Sequence, residues 1–183
     1  MGEIIIHPPV KLIAGITFSK EVDLKKLGQL LEKEFSAIER KSDVYDFSAF
    51  TDYYLKEMGE NLLKQFWVFA RLIDPVELPK IKISSNKFEQ LFLSGKKRTV
   101  NIDPGYISEA KLILATTKNY SHRIYLSEGI FGDIHLQYTS RTFQAQPWTY
   151  PDYQQEKVID FFNSVRLKYF HQLGESFIST LEK

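Results

Sequence analysis

Residues 101–126 read NIDPGYISEAKLILATTKNYSHRIYL, and how this segment divides into elements decides the second half of the fold. Asp103 followed by Pro104 has the form of a helix start, a capping carboxylate with proline in the first turn. Ile107, Ala110, Leu114 and Ala115 then share one helical face, which predicts a helix from Pro104 onward. Residues 122–126 and 130–138 flank Ser127-Glu128-Gly129, a three-residue loop with glycine last, and so predict a bulged β-hairpin. In a register that pairs Leu126 with Ile130, Tyr125 faces Phe131, Arg123 faces Asp133 and Ser121 faces His135.

Working back from this segment, Val10 to Ser19 (VKLIAGITFS) is apolar almost throughout, as a strand buried on both faces would be. Asp23 can cap a helix whose apolar positions Leu24, Leu27, Leu31 and Phe35 recur at helical spacing. Residues 38–50 are rich in β-forming aromatics and predict an extended strand with an irregular end. Residues 51–59, TDYYLKEMG, are too polar for a core strand and end in glycine, which suits a short helix or structured loop. Gln65 to Ile73 (QFWVFARLI) reads as a strand stopped by Asp74-Pro75. Ser84 or Ser85 can then cap a helix carrying Phe88, Leu91 and Phe92 up to Gly95, with Arg98 to Ile102 as a short fourth strand.

This order is strand, helix, strand, strand, helix, strand. The predicted fold class is therefore α+β, with a ferredoxin-like split β-α-β-β-α-β core whose helices lie on an antiparallel sheet. The C-terminal β-hairpin and a long terminal helix extend it. Residues 139–147 can add a short strand. Asp152 and Gln155 resemble a capping box for the last helix, which places Val158, Ile159, Phe162, Val165, Tyr169 and Leu173 on one face. No repeat, linker or low-complexity segment divides the chain, so residues 1–183 read as a single α+β domain.

Composition narrows the function classes. The 43% hydrophobic content is enough for a real core, and its aromatic part (14 Phe, 10 Tyr, 2 Trp) is unusually large. With 24 basic and 23 acidic residues the chain has no one-signed field, and only Lys96-Lys97-Arg98 approaches a basic stripe, so nucleic acid is an unlikely partner. The absence of cysteine excludes disulfides, thiolate metal sites and cysteine nucleophiles, and suits a reducing compartment. No apolar run approaches the ~20 residues of a membrane span. The amino terminus lacks the positive region of a signal peptide, which makes a cytoplasmic location the expectation.

Candidate chemistry concentrates between Asp103 and Arg123. Lys111, Lys118 and Arg123 can hold an anion, Arg through its planar fork and Lys as a point charge, while Asp103 or His122 can carry a proton. Lys111 and Lys118 would lie about two helical turns apart on a similar face. Simpler roles compete: lysines near a helix C-terminus complement its dipole, Asp103 can act as a cap beside Tyr106, and Arg123 can pair with Asp133. Tyr53 and Tyr54, with Asp52 and Glu57 nearby, offer phenols to a small polar ligand. Trp148, Tyr150 and Tyr153 could form an aromatic platform. The four histidines lack metal spacing, and His122 and His135 fall on opposite faces of the predicted hairpin, so no metal site and no cofactor is assigned.

Six stretches, VKLIAGITFS, FTDYYLKEMG, RLIDP, VNIDPGYIS, KLILATTKNYSHRIYL and PWTYPDY, together resemble an uncharacterised prokaryotic family, domain-of-unknown-function family 4416, over nearly the whole chain. The resemblance implies no activity or catalytic residue. Members are sometimes labelled GTP-binding, but a P-loop requires G-x-x-x-x-G-K-[ST], and at Ser94-Gly95-Lys96-Lys97 the upstream glycine is missing and Lys97 stands in the hydroxyl position. G-x-G-x-x-G and G-x-S-x-G are also absent. The expected function is binding of a small anionic metabolite, a nucleotide or phosphoester, with turnover left open. The alternative is a protein-interaction or regulatory module with an aromatic-rich surface.

Overall fold

The computed structural model describes residues 2–95 and 97–181, so Lys96, with its part in the basic run and in the P-loop comparison, lies outside the described residues. In chain order the elements are β1 (Val10–Phe18), α1 (Leu24–Glu34), β2 (Ile38–Lys41), β3 (Tyr45–Asp46), α2 (Leu55–Met58), β4 (Leu63–Ile73), α3 (Leu78–Glu89), β5 (Leu93–Ser94), β6 (Lys97–Arg98), β7 (Val100–Ile107), β8 (Lys111–Thr116), β9 (Arg123–Ser127), β10 (Ile130–Thr139), β11 (Thr142–Ala145) and α4 (Glu156–Leu181). The class is mixed α+β. A nine-stranded sheet runs β11-β10-β8-β7-β1-β4-β2, with β3 added beside β4 and β9 beside β10, and every pairing is antiparallel.

Every residue of β1 is buried because both faces of the sheet are covered. Strand alternation sends Leu12, Ala14 and Ile16 into a core with Leu27 and Leu31 of α1 and Ile81 of α3. Ile13 faces the opposite way, joining Phe66, Val68 and the α4 residues Val158, Phe162 and Val165. The sheet is thus the middle of three layers, with α1 and α3 on one side and α4 on the other. Asp23 caps α1 by accepting the Lys25 and Lys26 N–H groups at 3.0 Å each. Among the described residues no helix is long and apolar enough to cross a membrane.

The helix predicted from Pro104 does not form. Residues 100–107 and 111–116 are strands joined by a turn in which Ser108 N–H donates to Lys111 O at 2.9 Å. Ile107, Ala110 and Leu114 fit a helical period, but Ile107, Leu112 and Leu114 also share one face of a hairpin, and burying the sheet on both sides favours that solution. Two other expected caps are corrected. Helix α3 follows a capping box of Asp74 and Glu77, with Ser85 inside it donating to Ile81 O at 2.8 Å. Asp152 is buried in an ion pair and does not cap α4. In the hairpin, Tyr125 pairs with Phe131 and Arg123 with Asp133. Ile130 takes Ser127 in place of Leu126 because the bulge lies there, and the pairing ends before Ser121.

Strand β7 is paired with β8 only over Gly105 to Ile107. Beyond that point the two strands part and α3 completes the open edge: Ile102 N–H donates to Glu89 Oε1 and Ile102 O accepts from Lys82 Nζ, both at 2.7 Å. By the two-residue alternation of backbone groups, Pro104 directs its nitrogen to the same open side, where no strand requires an N–H. Gly105 marks the junction. A Cβ there would stand 2.2 Å from Ile113 O. Gly105→Ala is expected to destabilise the fold by roughly 1–3 kcal/mol, toward the upper end because the clash is with backbone, measured as a lowered urea midpoint.

Candidate functional site

Where β7 and β8 part, the molecule holds a cavity of about 630 Å³. Its floor is a polar row across the three central strands. Thr17 on β1 lies opposite Lys64 on β4 and Asn101 on β7, and Gly15 lies opposite Asp103. Gly15 is needed for space, since a Cβ there would stand 2.9 Å from the Tyr153 hydroxyl and 3.3 Å from Lys64 Cε. Lys64 Nζ donates to Asp152 Oδ2 at 2.6 Å, and the Tyr45 hydroxyl donates to the same oxygen at 2.9 Å. The Lys64 and Asp152 side chains are 3% and 1% exposed.

Asp103 accepts from Asn101 Nδ2 at 2.6 Å and from Lys82 Nζ at 3.3 Å. Burial alone would raise its pKa, but Lys82, Lys64 and the Asn101 hydrogen bond outweigh it and hold the carboxyl below its ordinary value. Two buried hydroxyls of this region, Thr17 Oγ1 and the Tyr153 hydroxyl, have no partner among the described residues. Removing so many polar groups from water costs stability wherever pairing is incomplete, and a fold built for stability alone would place apolar side chains here.

Two charge clusters form the walls. On one side Arg98 divides its guanidinium between Glu89 and Glu57, each at 2.7 Å. Burial pushes the Glu89 pKa up despite Lys82, Arg98 and the Ile102 N–H. On the other side Arg123 donates through Nε to Asp133 at 3.0 Å, through Nη1 to Lys118 O at 3.0 Å and through Nη2 to the Tyr150 hydroxyl at 3.2 Å. The Tyr150 phenol is pushed up to about 12, first by burial and then by Asp103. At the mouth Lys118 donates to the Tyr53 hydroxyl and lies 4.7 Å from that ring's centre. The Tyr53 and Tyr54 rings meet edge to face at 4.9 Å.

Behind the Arg123 wall, Asp133 organises two histidines. Tyr150 N–H donates to His135 Nε2 at 3.1 Å, which leaves the proton on Nδ1, directed at Asp133 Oδ1 3.4 Å away. Burial holds the His135 pKa below its ordinary value, so the ring is neutral at pH 7. Burial would raise the Asp133 pKa, but His135 and Arg123 bring it below the usual range. His122 Nε2 reaches Asp133 Oδ2 at 3.2 Å while its ring stacks on Trp148 at 4.7 Å. The two histidines therefore converge on one carboxylate, against the opposite faces expected, because Asp133 has an oxygen for each. Among the described residues no group of three or more metal-binding side chains is assembled.

Of the residues singled out by sequence, Asp103, Lys118, Arg123, Tyr53 and Tyr54 line this cavity. Lys111 lies on β8 and Lys118 in the following loop, so the shared helical face does not exist. Lys111, Tyr106 and His122 stand outside the lining. Tyr106 instead packs between two parts of the core. The proposed platform divides, with Tyr150 on the cavity, Tyr153 in the core and Trp148 donating to Ile134 O at 2.9 Å. Sequence reasoning missed Lys64, Lys82, Glu89 and Asp152. The available signals were Lys64, in step with core-facing Phe66 and Val68, and the seven-residue spacing of Lys82 and Glu89 on one helix face.

Two measurements test this network. Asp152→Ala leaves Lys64 buried and unpaired and is expected to cost about 3–5 kcal/mol, while Lys64→Met with Asp152→Leu recovers most of the loss; denaturant unfolding of both variants decides it. For pH, the lowered His135 value means its contribution to stability is full above the ordinary pKa of about 6.5 and is lost as pH falls toward the folded value. Asp103 and Asp133, also lowered, lose theirs only below about pH 4, and Glu89, raised, acts in the opposite sense. His135→Gln is expected to flatten the stability profile just below pH 6.5 relative to the parent protein.

No curated protein and no solved structure matches the chain. The family model described as a domain of unknown function (DUF4416) matches residues 8–169, nearly the whole chain, and the protein belongs to that family.

Proposed function

We propose that the cavity between β7 and β8 binds a small anionic metabolite of the nucleotide or phosphoester class. The observation that carries this reading is the buried polar floor of Lys64, Asn101, Asp103 and Asp152, set at the middle of the sheet and open to a space of about 630 Å³, within the range of small-molecule sites. Lys64, Lys82, Arg98 and Arg123 each have a carboxylate partner within 4.0 Å. The Lys118 ammonium, at the mouth, has only the Tyr53 hydroxyl and ring among the described residues. It is therefore the cation to which an incoming anion is assigned, with Tyr53, Tyr54 and Tyr150 as walls for a planar group.

A reaction at this site would use Asp103, which lines the cavity, as the proton carrier in preference to His122, which stands outside the lining. Arg123, with each of its three guanidinium nitrogens engaged, positions Asp133 and Tyr150. The β7-β1-β4-β2 order with α1 and α3 on one face supports reading this part as the ferredoxin-like split core, and the continuous sheet supports one domain for residues 1–183. A cytoplasmic setting belongs to the same proposal. A second reading, a protein-interaction module, draws on β9, where Ile124 and Tyr125 are 63% and 59% exposed.

Thermal denaturation across a panel of nucleotides and phosphorylated metabolites tests the first reading. A ligand at about 100 times its Kd stabilises by about 2.7 kcal/mol, and Lys118→Ala is expected to remove most of that shift. Stability unmoved by the whole panel would overturn the assignment. Co-purification of a protein through β9 would favour the second.

A further inference from the structure

Tyr53 and Glu57, four residues apart, each hold one cation at the mouth of the cavity. Glu57 accepts from Arg98 Nη2 at 2.7 Å, and Tyr53 accepts from Lys118. Met58, one position on from Glu57, packs with Phe47 and Leu62, and Tyr54 rests against the same cluster while its ring lines the cavity. The segment is thus anchored by one side and engages the cavity's charges with the other. Arg98 stands over the Tyr54 ring at 5.5 Å and Lys118 over the Tyr53 ring at 4.7 Å, so the two cations flank a single aromatic pair.

The charges here are unevenly matched. Arg98 has two carboxylates, buried Glu89 at 2.7 Å and Glu57, whose side chain is 57% exposed, while Lys118 has none among the described residues. One carboxylate neutralises Arg98. Glu57 is the surplus, and as the exposed member of a solvent-screened pair it is the weaker of the two. A guanidinium N–H that donates to an exposed carboxylate will donate to a phosphate oxygen in the same position, and the phosphate carries more negative charge.

We propose that Arg98 and Lys118 are the anion-binding pair of this cavity, and that Glu57 is an internal stand-in whose place on Arg98 is taken by the ligand's phosphate. The inference rests on the reading that the cavity binds an anion, and it adds the residue that binds and the residue that competes. Arg98 keeps its bond to Glu89 throughout, so the Ile102 edge of β7 is undisturbed. Release of Glu57 leaves the cavity one charge more positive, matched to the anion that replaces it.

Calorimetric titration with inorganic pyrophosphate at constant ionic strength tests this. Glu57→Gln is expected to tighten binding about two- to fivefold, the equivalent of an exposed ion pair removed from competition. Glu60→Gln, a nearby exposed carboxylate, controls for general charge and is expected to leave Kd unchanged. Arg98→Lys, which keeps the charge on Glu89 but loses the fork, is expected to weaken binding by about tenfold and to abolish the Glu57→Gln gain. Equal affinities in the parent protein and Glu57→Gln, or an equal gain from Glu60→Gln, would overturn the stand-in while leaving the anion site intact. No binding by any of these proteins would overturn both.

Discussion

Ile102 has its backbone N–H on Glu89 and its carbonyl on Lys82, and on that side, away from β1, no strand runs beside it. The rest of the molecule's particular shape depends on that substitution. An open strand edge inside a protein is costly unless every donor and acceptor finds a partner, and two side chains about two turns apart on one face of α3 supply them. Because a helix completes the edge, β8 is free to diverge after Gly105, and the divergence is the cavity. The same Glu89 holds Arg98, and the same Lys82 holds Asp103, so the edge and the site share their charges.

The polar floor follows from the same geometry. Residues of β1 that face α4 would be expected to carry apolar side chains, yet Lys11, Gly15 and Thr17 interrupt the pattern set by Ile13. Gly15 leaves room for the Tyr153 hydroxyl, and Lys64 enters beside it to meet Asp152 and Tyr45. Each buried charge has a named partner, but the arrangement as a whole stabilises less than packed hydrocarbon would. Stability has been given up at this place in the sheet, while the two clusters packed on its faces are apolar.

Much of the frame was legible because its signals were local. Val10 to Phe18 is apolar almost throughout, Asp23 precedes a helical run, and Arg123 opposite Asp133 follows from the Gly129 loop. The segment after Asp103 was not, since Ile107, Ala110 and Leu114 satisfy two periods at once. Pro104 resembled a helix start only because the missing strand partner that makes it tolerable is a tertiary fact. Similarly, Asp74-Pro75 marks the end of β4 and also begins the turn into α3, so the helix starts well before Ser84. Tyr53, Asp103 and Lys118 stood in segments that sequence had marked. Their charged counterparts Lys82, Glu89 and Asp152 come from elements whose approach no spacing rule encodes.

The place of β1 in the sheet has a consequence for how the chain reaches this state. Strands β8, β9, β10 and β11 lie close together in sequence, with β10 pairing with each of the other three, and can form from neighbouring residues. The central strand instead waits for partners far along the chain: Lys11 pairs with Leu72 on one side and with Ile107 on the other. Closing loops of that size before any contact rewards them slows folding, and it makes the chain's first strand among the last to be enclosed. Until β7 arrives, the Lys64 and Asp103 carriers of the floor are apart and hydrated, so the desolvation of the site falls late in folding, together with the closing of the two cores to which β1 and β7 both contribute.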